Sequence, residues 1–320
     1  MSAPPQHYVT LNNGLKMPAI GLGCGAGFTD EEHEAARPWI ISALKIGYRH
    51  LDTASVYGTE GVVGKAVRES GIPREEIFVT TKLPLHQNNV SESIEVSLKN
   101  AGFDYFDLWL MHWPQAMAYV KDNPFPRYPG PNGEPDQGDH ILNNKITFNQ
   151  TWAEMEKVYE SGKVKAIGVS NFSVKNLKKL LETARIIPAV DQVEMHPHQA
   201  QSELLEFCRE KGIILAAYSP TGYSFIANDP TIVKLAERYR VSPAQISLAW
   251  HVARGTVAIP KSTNNARQRA NLLELPTLPK EDVDLINTLH KNARYCKNPE
   301  PTERDGHELA LGWTYEQMGW

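Results

Sequence analysis

VKAIGVSNFSVKNLKKLLETARIIPAVDQVE, residues 164–194, holds one complete repeat of a strand-and-helix alternation. Its opening run, 164–169, is short, apolar and β-branched, as a buried strand would be. Ser173 then stands where a helix N-cap would, and Leu177, Leu180 and Leu181 are spaced to face inward from the helix that follows. A second run of strand type occupies 189–193. Strand, helix and strand in that order read as parallel strands joined by a crossover helix.

The same alternation extends in both directions. Upstream lie Ala19-Ile20-Gly21-Leu22, with a helix opened by the capping-box pair Thr29 and Glu32 in which Pro38 predicts a kink or a late start. Tyr48-Arg49-His50-Leu51 precedes a helix from about Glu60. Phe78-Val79-Thr80-Thr81 precedes a helix with Val90, Ile94 and Leu98 on one face, closed by Gly102. The run 106–111 is followed, after a long interruption, by Trp152, Met155 and Tyr159 before Gly162. Downstream, Leu204, Leu205 and Cys208 mark a helix, and 213–217 is a strand with a helix around Ile232 and Leu235. Ser242-Pro243 opens an extra helix by N-cap and N1 proline, and 256–259 is the last strand. Eight such units predict an α/β fold, a (β/α)8 TIM barrel, in which closure leaves no edge strand to protect. Tyr8-Val9-Thr10-Leu11 and Leu15-Lys16-Met17 flank Asn12-Asn13-Gly14 as an N-terminal β-hairpin plug. Residues 114–148, rich in proline from Pro114 to Pro135, are predicted to be a long rim loop. Residues 292–320, with Trp313, Tyr315 and Trp320, are predicted to be a C-terminal tail near the substrate mouth. With no internal sequence repeat and no low-complexity linker, 1–320 reads as a single barrel domain.

Polar residues gather just after the strands: Asp52 and Tyr57, Lys82, His112, Ser170-Asn171, Gln192, Tyr218-Ser219, and Lys261-Ser262. Loops are polar in general, so no single residue decides anything. Together they place a carboxylate, a phenol, an ammonium and an imidazole at the strand C-termini, the end where barrel active sites are built. Leu51-Asp52-Thr53-Ala54 with Tyr57-Gly58-Thr59-Glu60, His112-Trp113-Pro114, Gly168-Val169-Ser170-Asn171-Phe172, Gln192-Val193-Glu194 and Ile259-Pro260-Lys261-Ser262 resemble the aldo-keto reductases. The resemblance covers nearly the whole chain.

It implies NADPH or NADP+ as cofactor, no metal, and Asp52, Tyr57, Lys82 and His112 as the catalytic four. Tyr57 would be the proton donor, Lys82 would bring its phenol toward the working range, Asp52 would hold the ammonium, and His112 would orient the carbonyl. His112 as the acid is the competing assignment, because an imidazole near pKa ~6.5 needs little tuning. The resemblance assigns the nicotinamide to Ser170, Asn171 and Gln192, with Tyr218 stacked on the ring and Ser219 beside it. Lys261, Ser262, Thr263, Asn264, Arg267 and Asn271 lie where a loop meets a helix N-terminus, suited to a 2′-phosphate. Substrate would meet Tyr57, His112 and Trp113.

Several features compete with or qualify that reading. Gly21-Leu22-Gly23-Cys24-Gly25-Ala26 satisfies a loose dinucleotide fingerprint, although a tight turn at the barrel mouth accounts for the glycines better. Glu194, His196 and His198 alternate as metal ligands could, but Pro197 interrupts them and structural roles fit better. An aromatic expected just after the first strand is missing, Gly25 and Ala26 standing there. Ala270 replaces an acidic residue near the adenine, and the loop after Tyr218 is short; both predict a looser cofactor. A non-catalytic NADP(H)-binding regulatory barrel is the alternative function, and a metal-dependent hydrolase ranks behind it. The net charge of −4 without a basic stripe argues against nucleic acid, and the lack of a long apolar run argues against a membrane. The partner expected is a small carbonyl compound, the setting cytoplasmic, the chain a monomer or weak dimer. Three cysteines, Cys24, Cys208 and Cys296, read as reduced thiols.

Overall fold

Period-two alternation sorts the residues of each strand onto two faces, and both faces are buried. The computed structural model describes residues 7–129, 134, 135, 138–296, 302–304 and 306–320. An antiparallel hairpin, β1 (Tyr8–Thr10) and β2 (Lys16–Pro18), precedes eight parallel strands: β3 (Leu22–Gly23), β4 (His50–Asp52), β5 (Phe78–Lys82), β6 (Leu108–Met111), β7 (Ile167–Ser170), β8 (Val190–Glu194), β9 (Ile214–Tyr218) and β10 (Val257–Ile259). They pair in chain order. Gly21 N donates to Ala258 O at 2.9 Å, Ala258 N to Ala19 O at 2.8 Å and Gly23 N to Pro260 O at 3.0 Å, so the first strand meets the last and the sheet closes into the expected barrel. The strands begin later than their apolar runs: Phe106, for instance, only bridges to Val164 before β6 starts.

Phe78, Leu108, Leu110, Val190, Ala216, Val257 and Ile259 form one apolar cluster together with Leu11 and Met17. The hairpin thus plugs the barrel, as the sequence predicts. The alternate residues Val79, Trp109, Met111, Val169, Val193 and Leu215 belong to a second, larger cluster shared with the helices. Those helices are α1 (Asp30–Ile46), α2 (Glu60–Ser70), α3 (Val90–Ala101), α4 (Phe148–Glu160), α5 (Val174–Leu181), α6 (Ser202–Lys211), the short α7 (Tyr223–Ala227), α8 (Pro230–Tyr239), α9 (Pro243–Ala253), α10 (Asn265–Leu273) and α11 (Lys280–Asn287). At the start of α1, Thr29 Oγ1 accepts from Glu32 N at 3.2 Å while the Glu32 carboxylate accepts from Thr29 N at 3.0 Å. The helix then continues through Pro38 to Ile46, so the predicted late start does not occur.

Two further expectations need correction. The extra helix of the seventh unit is α8, not the one opened by Ser242-Pro243. Residues 245–251 of α9 are all buried, and α9 packs on β10 and α10 while α8 lies against it. A helix apolar on nearly every side belongs inside. The segment 292–320 is more than an irregular tail: it carries β11 (Thr302–Arg304), β12 (His307–Ala310) and β13 (Trp313–Thr314) as an antiparallel sheet, then α12 (Tyr315–Met318). Ser173 Oγ and Asn176 Nδ2 both donate to Met318 O, at 2.7 and 3.0 Å, and fix this cap to the barrel. The rim loop is braced by bridges between Met117 and Leu142 and between Arg127 and His140, and it ends where Thr147 caps α4. Residues 130–133, 136, 137, 297–301 and 305 of these two segments lie outside the described residues.

Gly21, the first glycine of the apparent dinucleotide fingerprint, has a packing role. A Cβ there would stand 2.7 Å from His50 Nδ1 and 2.8 Å from Ile259 Cδ1, inside the seam that closes the barrel. Neither Gly21 nor Gly23 nor Gly25 has positive φ; among the glycines of this stretch only Gly27 does, at 72°. Close approach rather than a tight turn therefore explains Gly21, whereas a Cβ at Gly23 or Gly25 would meet nothing nearer than 3.6 Å. Gly21→Ala should lower stability by about 1–3 kcal/mol, the usual cost of overpacking. Urea unfolding without added cofactor measures this, and an unchanged midpoint would contradict the assignment.

Candidate active site

Asp52, Lys82, Ser170, Gln192 and Tyr218 sit on the strands themselves, on the same alternation as the inward-facing core residues Phe78, Leu110, Val190 and Ala216 but at the C-terminal ends. His112 and Lys261 continue that alternation just beyond β6 and β10. Tyr57 comes from a single helical turn, 55–57, after β4. The floor of the site is a buried ion pair. Lys82 Nζ donates to Asp52 Oδ1 at 2.6 Å and to Thr53 O at 3.0 Å, and Gln192 Nε2 donates to Asp52 Oδ2 at 2.8 Å. Lys82 is 1% exposed. Its ammonium lies 5.1 Å from the centre of the Tyr57 ring, and that ring meets His112 edge to face with centroids 5.7 Å apart. The predicted four are therefore one contiguous group.

Burial and charge set their protonation. Burial pulls the Lys82 ammonium down, but Asp52 and Tyr57 outweigh it and the net shift is upward, so Lys82 stays charged. Burial lifts the Tyr57 phenol, while Lys82 pulls the other way. The predicted direction of the lysine effect holds, but burial exceeds it and the phenol ends above its usual value. His112 falls well below the usual imidazole range, first through burial and then through Lys82, and is neutral at physiological pH. The assumption behind His112 as the acid, an untuned imidazole, does not hold. Its Nδ1 is buried with no hydrogen-bond partner among the described residues.

A cleft of about 670 Å³ opens above this floor. Asp52, Tyr57, His112, Trp113, Ser170, Asn171, Gln192, Tyr218, Ser219, Lys261, Ser262, Thr263 and Arg267 all line it. Ser170 Oγ donates to Gln192 O at 2.7 Å, Asn171 Nδ2 to His112 O at 3.1 Å, and Tyr218 OH to Asn171 Oδ1 at 2.8 Å. Asn171 holds a left-handed φ of 64°, which this web of bonds enforces. At the far end, Lys261 and Arg267 expose their charged ends beside the first turn of α10, with Arg267 Nε donating to Ser262 Oγ at 3.4 Å. Lys82, Asn264 and Asn271 do not line the cleft: Lys82 lies beneath Tyr57, Asn264 caps α10 by accepting from Arg267 N at 3.0 Å, and Asn271 is buried.

The sequence reading named none of Phe28, Val56, Leu85, Phe125, Tyr223 and Cys296, which also line the cleft, although Phe125 and Cys296 belong to the rim loop and the tail that it expected to shape the mouth. Phe28, 75% exposed, supplies an aromatic to the side that Gly25 and Ala26 seemed to leave bare. None belongs to a periodic run or a motif, so no local signal marked them. The apparent metal set is an anchor for the tail instead. Glu194 Oε1 accepts from Tyr295 N at 2.5 Å and Cys296 N at 2.9 Å and meets His196 Nε2 at 3.2 Å, while His198 binds Tyr295 OH and Asp229 at 2.7 and 2.9 Å. None of Cys24, Cys208 and Cys296 forms a disulfide.

Known proteins resemble this chain in sequence and in fold. The model of the Aldo/keto reductase family matches residues 19–291. A glycerol 2-dehydrogenase (NADP(+)) of Saccharomyces cerevisiae is 41% identical over 290 residues, 88% of this chain and 90% of that protein. A Bombyx mori aldo-keto reductase solved in complex with NADP superposes with a TM-score of 0.77 at 34% identity, over 92% of this chain and 95% of the other. An aldose reductase from Schistosoma japonicum gives 0.81 at 33% identity, over 91% and 94%. A closed eightfold barrel, a lysine–aspartate pair under a tyrosine and a histidine, and a family match across most of its length establish that the chain belongs to the aldo/keto reductase family.

Proposed function

We propose that this enzyme reduces aldehydes and ketones to alcohols with NADPH, and that Tyr57 donates the proton. The observation that carries the reading is the Asp52–Lys82 pair buried under Tyr57 and His112, at the floor of a cleft that runs out to Lys261 and Arg267. The cleft fits the cofactor in chemistry. Two cations beside a helix N-terminus suit a phosphate, and the Ser170, Asn171 and Gln192 polar groups suit a carboxamide. The similar yeast dehydrogenase is an NADP(+) enzyme by name, and the similar silkworm structure holds NADP.

When bound, the nicotinamide supplies hydride to the carbonyl carbon, and the protein must manage the charge left on oxygen. Tyr57, protonated because burial raises its pKa, transfers its hydroxyl proton to that oxygen. Lys82 faces the phenolate that results, and Asp52 with Thr53 O keeps the ammonium in place. Neutral His112 donates a hydrogen bond to the carbonyl oxygen and orients it. Val56, Leu85, Trp113 and Phe125 give the substrate side apolar walls, which favours carbonyl compounds with an apolar body over sugars. A regulatory subunit would have no use for a proton donor backed by a buried cation. We also read the protein as a cytoplasmic monomer or weak dimer.

Tyr57→Phe should bind NADPH within about twofold of wild type and lose roughly 10²–10⁴ in kcat, the usual size of a general-acid contribution; stopped-flow reduction of a panel of carbonyl compounds tests it, and undiminished turnover would remove Tyr57 from the mechanism. Arg267→Ala should weaken NADPH by at least about tenfold and NADH hardly at all, as loss of one charge-assisted bond to a 2′-phosphate requires. Equal losses for both, by fluorescence titration, would argue against that contact. The pH profile of kcat should show no inflection near ~6.5, because His112 is already neutral there, and should fall only as pH climbs beyond the ordinary phenol value of about 10 and Tyr57 loses its proton. A limb near neutrality would return the acid role to His112.

A further inference from the structure

Gln115 lies outside the catalytic group and is 2% exposed, yet its amide reaches across 195 residues of sequence: Nε2 donates to Ala310 O at 2.8 Å and to Leu311 O at 3.4 Å, at the end of β12. Behind it stands a second buried amide. Gln87 Nε2 donates to Trp113 O at 2.8 Å and to Gln115 O at 3.0 Å, and Gln87 Oε1 accepts from Thr151 Oγ1 at 2.7 Å. A continuous line of bonds thus runs from α4 through Gln87 and Gln115 to the tail, with a branch from Gln87 to the backbone of Trp113, which lines the cleft. An apolar line runs beside it. Leu85, Met117 and Leu311 pack as one cluster with Val56, Trp113, Phe125 and Leu142, and four of these seven are cleft walls. Leu311 holds φ 47° and Gly312 φ 80°, with a Cβ at Gly312 only 3.2 Å from Leu142, so the tail enters at a strained turn pressed onto the rim loop.

We propose that Gln115 is a positioning residue for substrate selection: by fixing the carbonyls of Ala310 and Leu311, it sets where the tail presses on the apolar wall, and so which carbonyl compounds the cleft accepts. This rests on the reductase reading above. The hydrogen bonds of Gln115 go to Gln87, Ala310 and Leu311 and not to Asp52, Tyr57, Lys82 or His112, so its influence falls on substrate binding rather than on proton transfer. A buried amide that holds two carbonyls is hard to replace, since loss of the donor leaves both acceptors without it in an apolar setting. Leu311 is the apolar counterpart, standing behind the wall without lining it.

The test compares Gln115→Met, similar in length and lacking the donor, and Leu311→Ala with the wild-type enzyme, using acetaldehyde as a small substrate and 4-nitrobenzaldehyde as a bulky apolar one. Both variants should raise KM for the bulky aldehyde by roughly five- to tenfold, the loss of one or two buried contacts, with kcat for acetaldehyde and the NADPH dissociation constant within about twofold of wild type. Melting temperature is recorded in parallel, and if Gln115→Met does not fold, Leu311→Ala decides alone. Unchanged KM for the bulky aldehyde, or equal losses with both substrates, overturns the proposal. Failure of wild-type enzyme to reduce either aldehyde with NADPH overturns the functional reading itself, and is seen before any variant is made.

Discussion

A lysine ammonium and an aspartate carboxylate 2.6 Å apart inside a closed barrel are the contact on which the site depends. Taking two such ions out of water costs several kcal/mol each, and the attraction between them recovers this only when their remaining hydrogen-bonding capacity is met. Thr53 O takes a second ammonium proton and Gln192 Nε2 takes the second carboxylate oxygen. The pair is neutral as a unit, but its positive end is nearer to the cleft's reactive groups. That end opposes the rise of the Tyr57 phenol and deepens the fall of the His112 imidazole. One buried cation thereby bears on the protonation of both Tyr57 and His112.

The barrel supplies what the pair requires. Closure through Ala19, Gly21 and Ala258 satisfies the backbone of the first and last strands, and the hairpin seals the opposite mouth with Leu11 and Met17. With that end filled by side chains, the inward positions nearest the strand C-termini are the ones left to carry polar groups toward an opening. The Ser170–Asn171–Tyr218 web is built at the same layer, its partners drawn from β7 and β9 and the loop after β6. Asp191, one residue out of phase with Gln192, shows the consequence of the other face. It is fully buried near Cys208 and the helices, and burial raises its carboxyl well above the ordinary range.

The substrate side is assembled differently. Phe28, Leu85, Phe125 and Cys296 come from four separate segments, and Glu194 on β8 gathers Tyr295 and Cys296 through its carboxylate. The two histidines of the apparent metal set contribute to that anchoring, through stacking of His196 on Tyr295 with centroids 4.9 Å apart and the bond from His198 to the same phenol. The Asp52–Lys82 pair therefore stands on the strands, while these cleft walls stand on loops that must be held from a distance.

Sequence alone determined the strand-and-helix alternation, the capping box at Thr29, the N-cap at Ser242, the hairpin, and the polar residues that gather at the strand ends, because these are local: a period of two or 3.6, a hydroxyl three residues before its partner, a turn between short runs. It also gathered Asp52, Lys82, Ser170, Gln192 and Tyr218 at the strand C-termini, although their place on the strands themselves, on one inward face, came from the structure. Which of α8 and α9 lies inside, that β11 to β13 form a sheet, that Phe28 and Cys296 reach the cleft, and that burial outweighs Lys82 at Tyr57 were decided by tertiary structure. Each of these depends on what packs against a residue from far along the chain, and neither burial nor long-range pairing is encoded in the spacing of neighbours.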